Sequence, residues 1–171
     1  LEAIAYVNQY FPNNPGTTDE PFVGSYYPNT HAEAEEAFAL FIKERLTLFG
    51  DYEDAMQVKE NTLFHSILSP LLNIGLLNPT ELIASVSASQ SPINSVEGFI
   101  RQILGWREFV QLIYRKVGTQ QRTNNYWQFN NPMPSAFYTA ETGIAPLDIS
   151  LKKLLKSSYN HHIERLMVIG N

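Results

Sequence analysis

The sequence has no cysteine among its 171 residues. Disulfides, thiolate metal sites and a cysteine nucleophile are therefore excluded from this chain. It has no apolar run of membrane-spanning length, and no basic, apolar-cored leader opens it. A cytoplasmic protein with no membrane partner is the expectation. A glycine-rich phosphate loop and an HExxH zinc pattern are both missing. No segment alternates with period two over a useful length, so the usual mark of a sheet is absent. There is no internal repeat and no low-complexity tract.

What remains is ordinary globular material. Apolar residues make up 44% of the chain, enough for one domain with a sizeable core. The first residue is Leu1 rather than Met, and the chain is expected to be a piece of something longer. Charge is unevenly spread. Residues 1–100 hold three basic and thirteen acidic side chains, whereas residues 101–171 hold nine basic and four acidic. A basic half on an acidic chain suits a surface that meets phosphate or nucleic acid, and chance segregation explains it equally well.

Residues 1–29 are rich in turn formers and read as an irregular arm, anchored by Phe11, Phe22, Tyr26 and Tyr27. Thr30 is a good N-cap, and apolar residues keep helical spacing from there to Gly50, which suits a C-terminal cap. A short helix is expected from Asp51 to about Val58. Leu63 to Leu77 is apolar but broken by Pro70, and reads as two short helices with His65, Ser66 and Ser69 interrupting them. Hydroxyls beside such a break can serve an anion, although helix capping is their commoner role. Asn78, Pro79 and Glu81 start a helix running to about Ser89. Asn94 with Glu97 starts a long one that Gly118 ends, and Ser150 caps a last one that carries His161, His162 and Arg165. The expected fold is all-α, about six helices with two long loops.

The long helix holds the least ordinary stretch, GFIRQILGWREF from Gly98 to Phe109. Ile100, Ile103, Leu104, Phe109, Leu112 and Ile113 are spaced for one buried face. Gln102, Trp106 and Arg107 interleave with them, either as snorkelling side chains or as the lining of a site. On a helix, His161 and His162 would point about 100° apart. They suit a shared metal site poorly, and no metal is expected.

LFHSILSPLLNIGLL, VEGFIRQILGWREF and YNHHIERLMVIGN, in this order and together with FGDYEDAM, resemble the flavin-binding helical domain of the photolyase–cryptochrome superfamily. The bacterial photolyase-related branch, which includes iron–sulfur (6-4) photolyases, is the nearest in pattern. The resemblance runs from about Thr30 to Asn171. It implies one partial FAD-binding domain over residues 1–171, without the antenna domain and the later helices. It assigns Ser66, Leu68 and Ser69 to the FAD pyrophosphate, and Tyr52 to the cofactor nearby. Gln102, Trp106 and Arg107 fall on the flavin pocket wall, Arg165 beside the flavin ring, and Asp148 just before the final helix. His162, with His161, takes the position of the catalytic proton donor. FAD in the parent protein, damaged DNA as partner and light-driven repair of (6-4) lesions follow as implications, with FAD binding by this chain itself left open.

The chain also departs from the pattern. Pro146 stands where the iron–sulfur members place a cluster-ligating cysteine, so this chain alone cannot hold that cluster. Tyr138 stands where a tryptophan could pass electrons to the flavin. Two other readings stay open: a blue-light cryptochrome-type receptor, and a non-enzymatic helical module that has lost flavin. An apolar face left by the missing helices could also pair two copies of the chain.

Overall fold

The computed structural model describes residues 2–18 and 27–170. The all-α expectation holds. There are nine α-helices and one π-helical turn among the described residues, and no strand. The count exceeds six because two expected helices are split and two are new.

The first new one is α1 (Glu2–Tyr10), inside the arm expected to be irregular. None of its residues is buried. Its aromatics pair locally instead, Tyr6 with Tyr10 at 4.6 Å and with Phe11 at 6.2 Å. Among the described residues, the ring contact of Phe11 is within its own helix end. Tyr27 does reach the body, its hydroxyl donating to the carbonyls of Ser157 and Ser158. Phe22 and Tyr26 lie outside the described residues.

Helix α2 (His31–Glu44) starts with the reciprocal bonds that Thr30 and Glu33 suggest. The helix does not continue to Gly50. It stops at Arg45, and α3 (Leu46–Tyr52) begins. Gly50 lies inside α3 because of packing, not capping. A Cβ there would sit 2.6 Å from the backbone of Asn94 and Ser95 on another helix. The expected helix from Asp51 to Val58 is absent beyond Tyr52. Carbonyls there serve other partners: Glu53 O accepts from His65 Nε2, and Gln57 O accepts from Lys153 Nζ.

Between Leu63 and Leu77 there is one helix, α4 (Ser69–Asn73), rather than two. Helix α5 (Pro79–Ser87) begins as its sequence demands, with Asn78 Oδ1 accepting from the Thr80 N–H at 3.0 Å. Helix α6 (Ile93–Thr123) spans 31 residues. Asn94 does not cap it, since its side chain donates to Asp51 Oδ1 at 2.7 Å. Gly118 does not end it either, and packs beneath the ring of Tyr114. Helices α3 and α5 pack against α6. Ser95, Gly98, Phe99 and Ile103 are buried, while Leu104, Phe109 and Leu112 of the expected apolar face are exposed.

The last expected helix is also two pieces. After a second new helix, α7 (Ala136–Thr139) in the loop expected to be irregular, it begins as α8 (Ala145–Ser157), in whose interior Ser150 is buried rather than capping. Ser158, in the left-handed region at φ 54°, stops α8. The chain restarts as α9 (His162–Glu164) and the π-helical turn Arg165–Ile169.

The side chains pack into two cores. The larger joins α2 to α6 around Phe41, Phe49 and Phe99, whose ring centroids lie 5.1–5.9 Å apart. The smaller gathers Ala140, Leu147 and Leu151 beneath Val168 and Ile169. A buried ion pair supports the second: Lys153 Nζ meets Glu164 Oε1 at 2.7 Å, with each side chain about a tenth exposed. Asn160 donates to the other Glu164 oxygen at 3.2 Å. These bonds fix where the His161–Arg165 segment sits.

Candidate functional site

A cavity of about 1000 Å³ opens between the two cores. That is at the upper end of the usual size of small-molecule sites. Phe49, Leu72, Phe99, Ile103 and Val110 form apolar wall, and Ser66, Ser69, Gln102, Arg107, His162 and Arg165 add polar groups.

The Ser66–Ser69 side is shaped by strain. Leu63 at φ 43° and Ile67 at φ 60° are both left-handed, although a branched side chain is disfavoured there. Such residues cluster at functional sites, each costing roughly 1–3 kcal/mol. The two bracket His65 and Ser66 and turn them towards the cavity. Ser66 Oγ accepts from the Leu68 N–H at 3.4 Å, and no side chain caps α4.

The α6 wall holds the polar residues of the GFIRQILGWREF stretch. Trp106 Nε1 donates to Gln102 Oε1 one turn back, at 3.1 Å, and the ring stays 64% exposed. Arg107 Nη2 donates to Asn73 Oδ1 on α4 at 3.3 Å. Among the described residues, neither Arg107 nor Arg165 is ion-paired.

At one edge of the cavity three imidazoles nest, His65 and His162 lining it and His161 buried behind them. His65 lies 3.7 Å from His161 and 4.9 Å from His162, centroid to centroid. His161 and His162 are 5.0 Å apart with planes 18° from parallel. They were expected to diverge as helical neighbours. His161 is instead the extended N-cap of α9, with ψ 138° and Nδ1 accepting from the Ile163 N–H. His65 is held by Glu53 O at 2.8 Å and by the Tyr159 hydroxyl at 3.1 Å, and His162 Nε2 meets Asp54 Oδ1 at 2.9 Å.

Burial, and then the neighbouring His161, push His65 down from 6.5 to about 4. Burial, and then His162, bring His161 to about 4 as well. Both are neutral at pH 7. Glu53 moves the other way. Burial first, and Asp54 next, raise its carboxyl above the ordinary range, and its buried Oε2 has no hydrogen-bond partner.

Eight of the eleven residues singled out from the sequence line this one cavity: Ser66, Leu68, Ser69, Gln102, Trp106, Arg107, His162 and Arg165. His161 is buried behind it. Tyr52 stands apart, its ring against Phe64 at 5.4 Å. Asp148 is also elsewhere, accepting from the Thr142 N–H and hydroxyl and the Gly143 N–H. Those bonds, the Thr142 hydroxyl foremost, hold its carboxyl below the ordinary range. Sequence reasoning passed over Glu53, Asp54 and Asn73. It took His65 only as an interruption, though a histidine in an otherwise apolar run was a signal.

No protein-family model matches the chain. A (6-4) photolyase of Agrobacterium fabrum (strain C58 / ATCC 33970) is 33% identical over 99% of this chain and 34% of its own length. An uncharacterized protein of Acanthamoeba polyphaga mimivirus is 36% identical over 58% of this chain and 80% of its own length. The chain spans about a third of the photolyase it matches.

Proposed function

We propose, given that this chain is related to photolyases, that its cavity is part of the FAD site of a light-driven DNA-repair protein acting on (6-4) pyrimidine lesions. One observation carries the reading. Residues from three distant segments, Ser66–Ser69, Gln102–Arg107 and His162–Arg165, meet around a single cavity of about 1000 Å³.

The residues fit such a cofactor. Apolar wall suits a flat ring system, and two cations without ion-pair partners suit a pyrophosphate. The orphaned Glu53 oxygen and the uncapped start of α4 are polar groups awaiting partners. FAD, when bound, supplies light absorption and one-electron transfer. The Ser66 and Ser69 hydroxyls, with the backbone N–H groups of α4, would hold the pyrophosphate. Arg107 and Arg165 would offset its charge. Gln102 holds the Trp106 indole, whose exposed face offers a stacking surface for a base turned out of the duplex. His162 keeps a proton on Nε2 through Asp54 and stands at the cavity edge, where it can serve as the proton donor. The exposed Arg115, Lys116 and Arg122 on the far half of α6 would meet the DNA backbone, with salt-sensitive affinity.

The test is repair of a (6-4) lesion oligonucleotide under blue light. His162→Ala should lower the repaired fraction per photon at least tenfold while leaving DNA binding in place. Undiminished repair by that variant would contradict the role given to His162.

A further inference from the structure

We infer that His65, His161 and His162 form a binding site for one borderline divalent transition-metal ion of the zinc class. Each residue offers a ring nitrogen, and these atoms lie within 4.8 Å of one another. The inference does not depend on flavin binding, and an ion on His162 would take that ring out of the proton-donor role.

The hydrogen bonds behind two of the three rings are those of metal ligands. His65 Nε2–H donates to the Glu53 carbonyl at 2.8 Å, and His162 Nε2–H donates to Asp54 Oδ1 at 2.9 Å. An oxygen acceptor behind an imidazole fixes its tautomer and strengthens the opposite nitrogen as a ligand. With Nε2–H committed to those acceptors, Nδ1 is the atom of each ring that faces an ion. On His65 it accepts from the Tyr159 hydroxyl at 3.1 Å, a bond that an ion would displace.

His161 supplies the third donor. The residue is 3% exposed, and its Nε2 has no hydrogen-bond partner. A buried polar atom without a partner is costly and needs an explanation. An ion at that atom gives one. Ligation moves the ring proton to Nδ1 and releases the Ile163 N–H, whose bond of 3.2 Å is the longest of the cluster.

Three imidazoles without a thiolate favour zinc, cobalt, nickel or copper(II) over magnesium or calcium. Nitrogens on a tetrahedral zinc ion lie about 3.3 Å apart, from bonds of about 2.0–2.1 Å. The cluster therefore closes by roughly an ångström or more on binding. His162, whose side chain is 47% exposed, is the ring with room to move. Asp54 and Glu53, adjacent in sequence, offset the charge of a dication.

The test uses the full chain after chelator treatment, titrated with cobalt(II) under visible absorption and with zinc(II) in a calorimeter. One equivalent should bind, with visible bands of tetrahedral nitrogen coordination. His162→Ala should weaken zinc binding at least tenfold, and Asp54→Asn about tenfold through the lost acceptor. Both positions are exposed, and far-ultraviolet dichroism verifies that the variants fold. His31→Ala, at the remaining histidine, should change nothing. Absence of saturable binding, or equal affinity in His162→Ala, would overturn the inference, as would loss of the site in His31→Ala.

Discussion

The backbone N–H of Gly50 donates to Ser95 Oγ at 2.9 Å, and the Ser95 hydroxyl donates onward to the Thr47 carbonyl at 3.1 Å. Here α3 and α6 touch backbone to backbone. Ser95 is fully buried, and a Cβ on residue 50 would fall 2.6 Å from it. This contact sets the start of α6, and so the direction in which Gln102, Trp106 and Arg107 face the cavity.

Gly50→Ala should therefore destabilise the fold by about 1–3 kcal/mol through overpacking. Ser95→Ala should cost about 1–3 kcal/mol by stranding a buried donor. Urea denaturation followed by dichroism measures both. A Gly50→Ala protein as stable as the parent would mean that the helices are not in close contact.

Lys153 and Glu164 give a second prediction. Removing one member of a buried pair leaves the other charge uncompensated, at about 3–5 kcal/mol. Lys153→Met and Glu164→Gln should each show a loss of that order. The double variant should lose less than the sum, because no lone charge remains. Additive losses in the double-mutant cycle would show that the pair is not coupled.

The third prediction concerns acid. His65 and His161 are pushed from 6.5 down to about 4, so the unfolded chain binds protons that the folded chain refuses. Their contribution is complete above pH 6.5, and is lost as pH falls towards 4. Each pKa unit is worth about 1.4 kcal/mol, so a fall from 6.5 to about 4 is worth on the order of 3–4 kcal/mol for each ring. Glu53 has the opposite sign. Its raised carboxyl favours the fold at low pH and stops doing so as pH rises through its folded value. Chemical denaturation of the metal-free chain across pH 4–7 should show stability falling on acidification, and His65→Gln should flatten the curve. A flat profile in the parent would contradict the buried, neutral cluster.

Local signals in the sequence were legible where the chemistry was local. Thr30 with Glu33, and Asn78 with Pro79, start helices as their side chains require. Signals that depended on partners were not. Gly50 and Gly118 look like caps, yet both sit inside helices, one beneath another backbone and one beneath Tyr114. Leu104, Phe109 and Leu112 keep the spacing of a buried face, but nothing among the described residues covers them. At the site, eight of the residues that the motifs singled out lie around one cavity. The histidine cluster was not legible, because the turn at Ser158–His161 brings rings together that a continuous helix would have spread.

The account turns on whether the cavity holds a flavin, and absorption spectroscopy of the protein equilibrated with FAD tests that most directly. The account predicts flavin bands in the near ultraviolet and blue that stay with the protein through gel filtration at one FAD per chain. Arg165→Ala should weaken retention at least tenfold. A protein that emerges colourless, and that leaves FAD fluorescence unchanged at any concentration, would contradict the account.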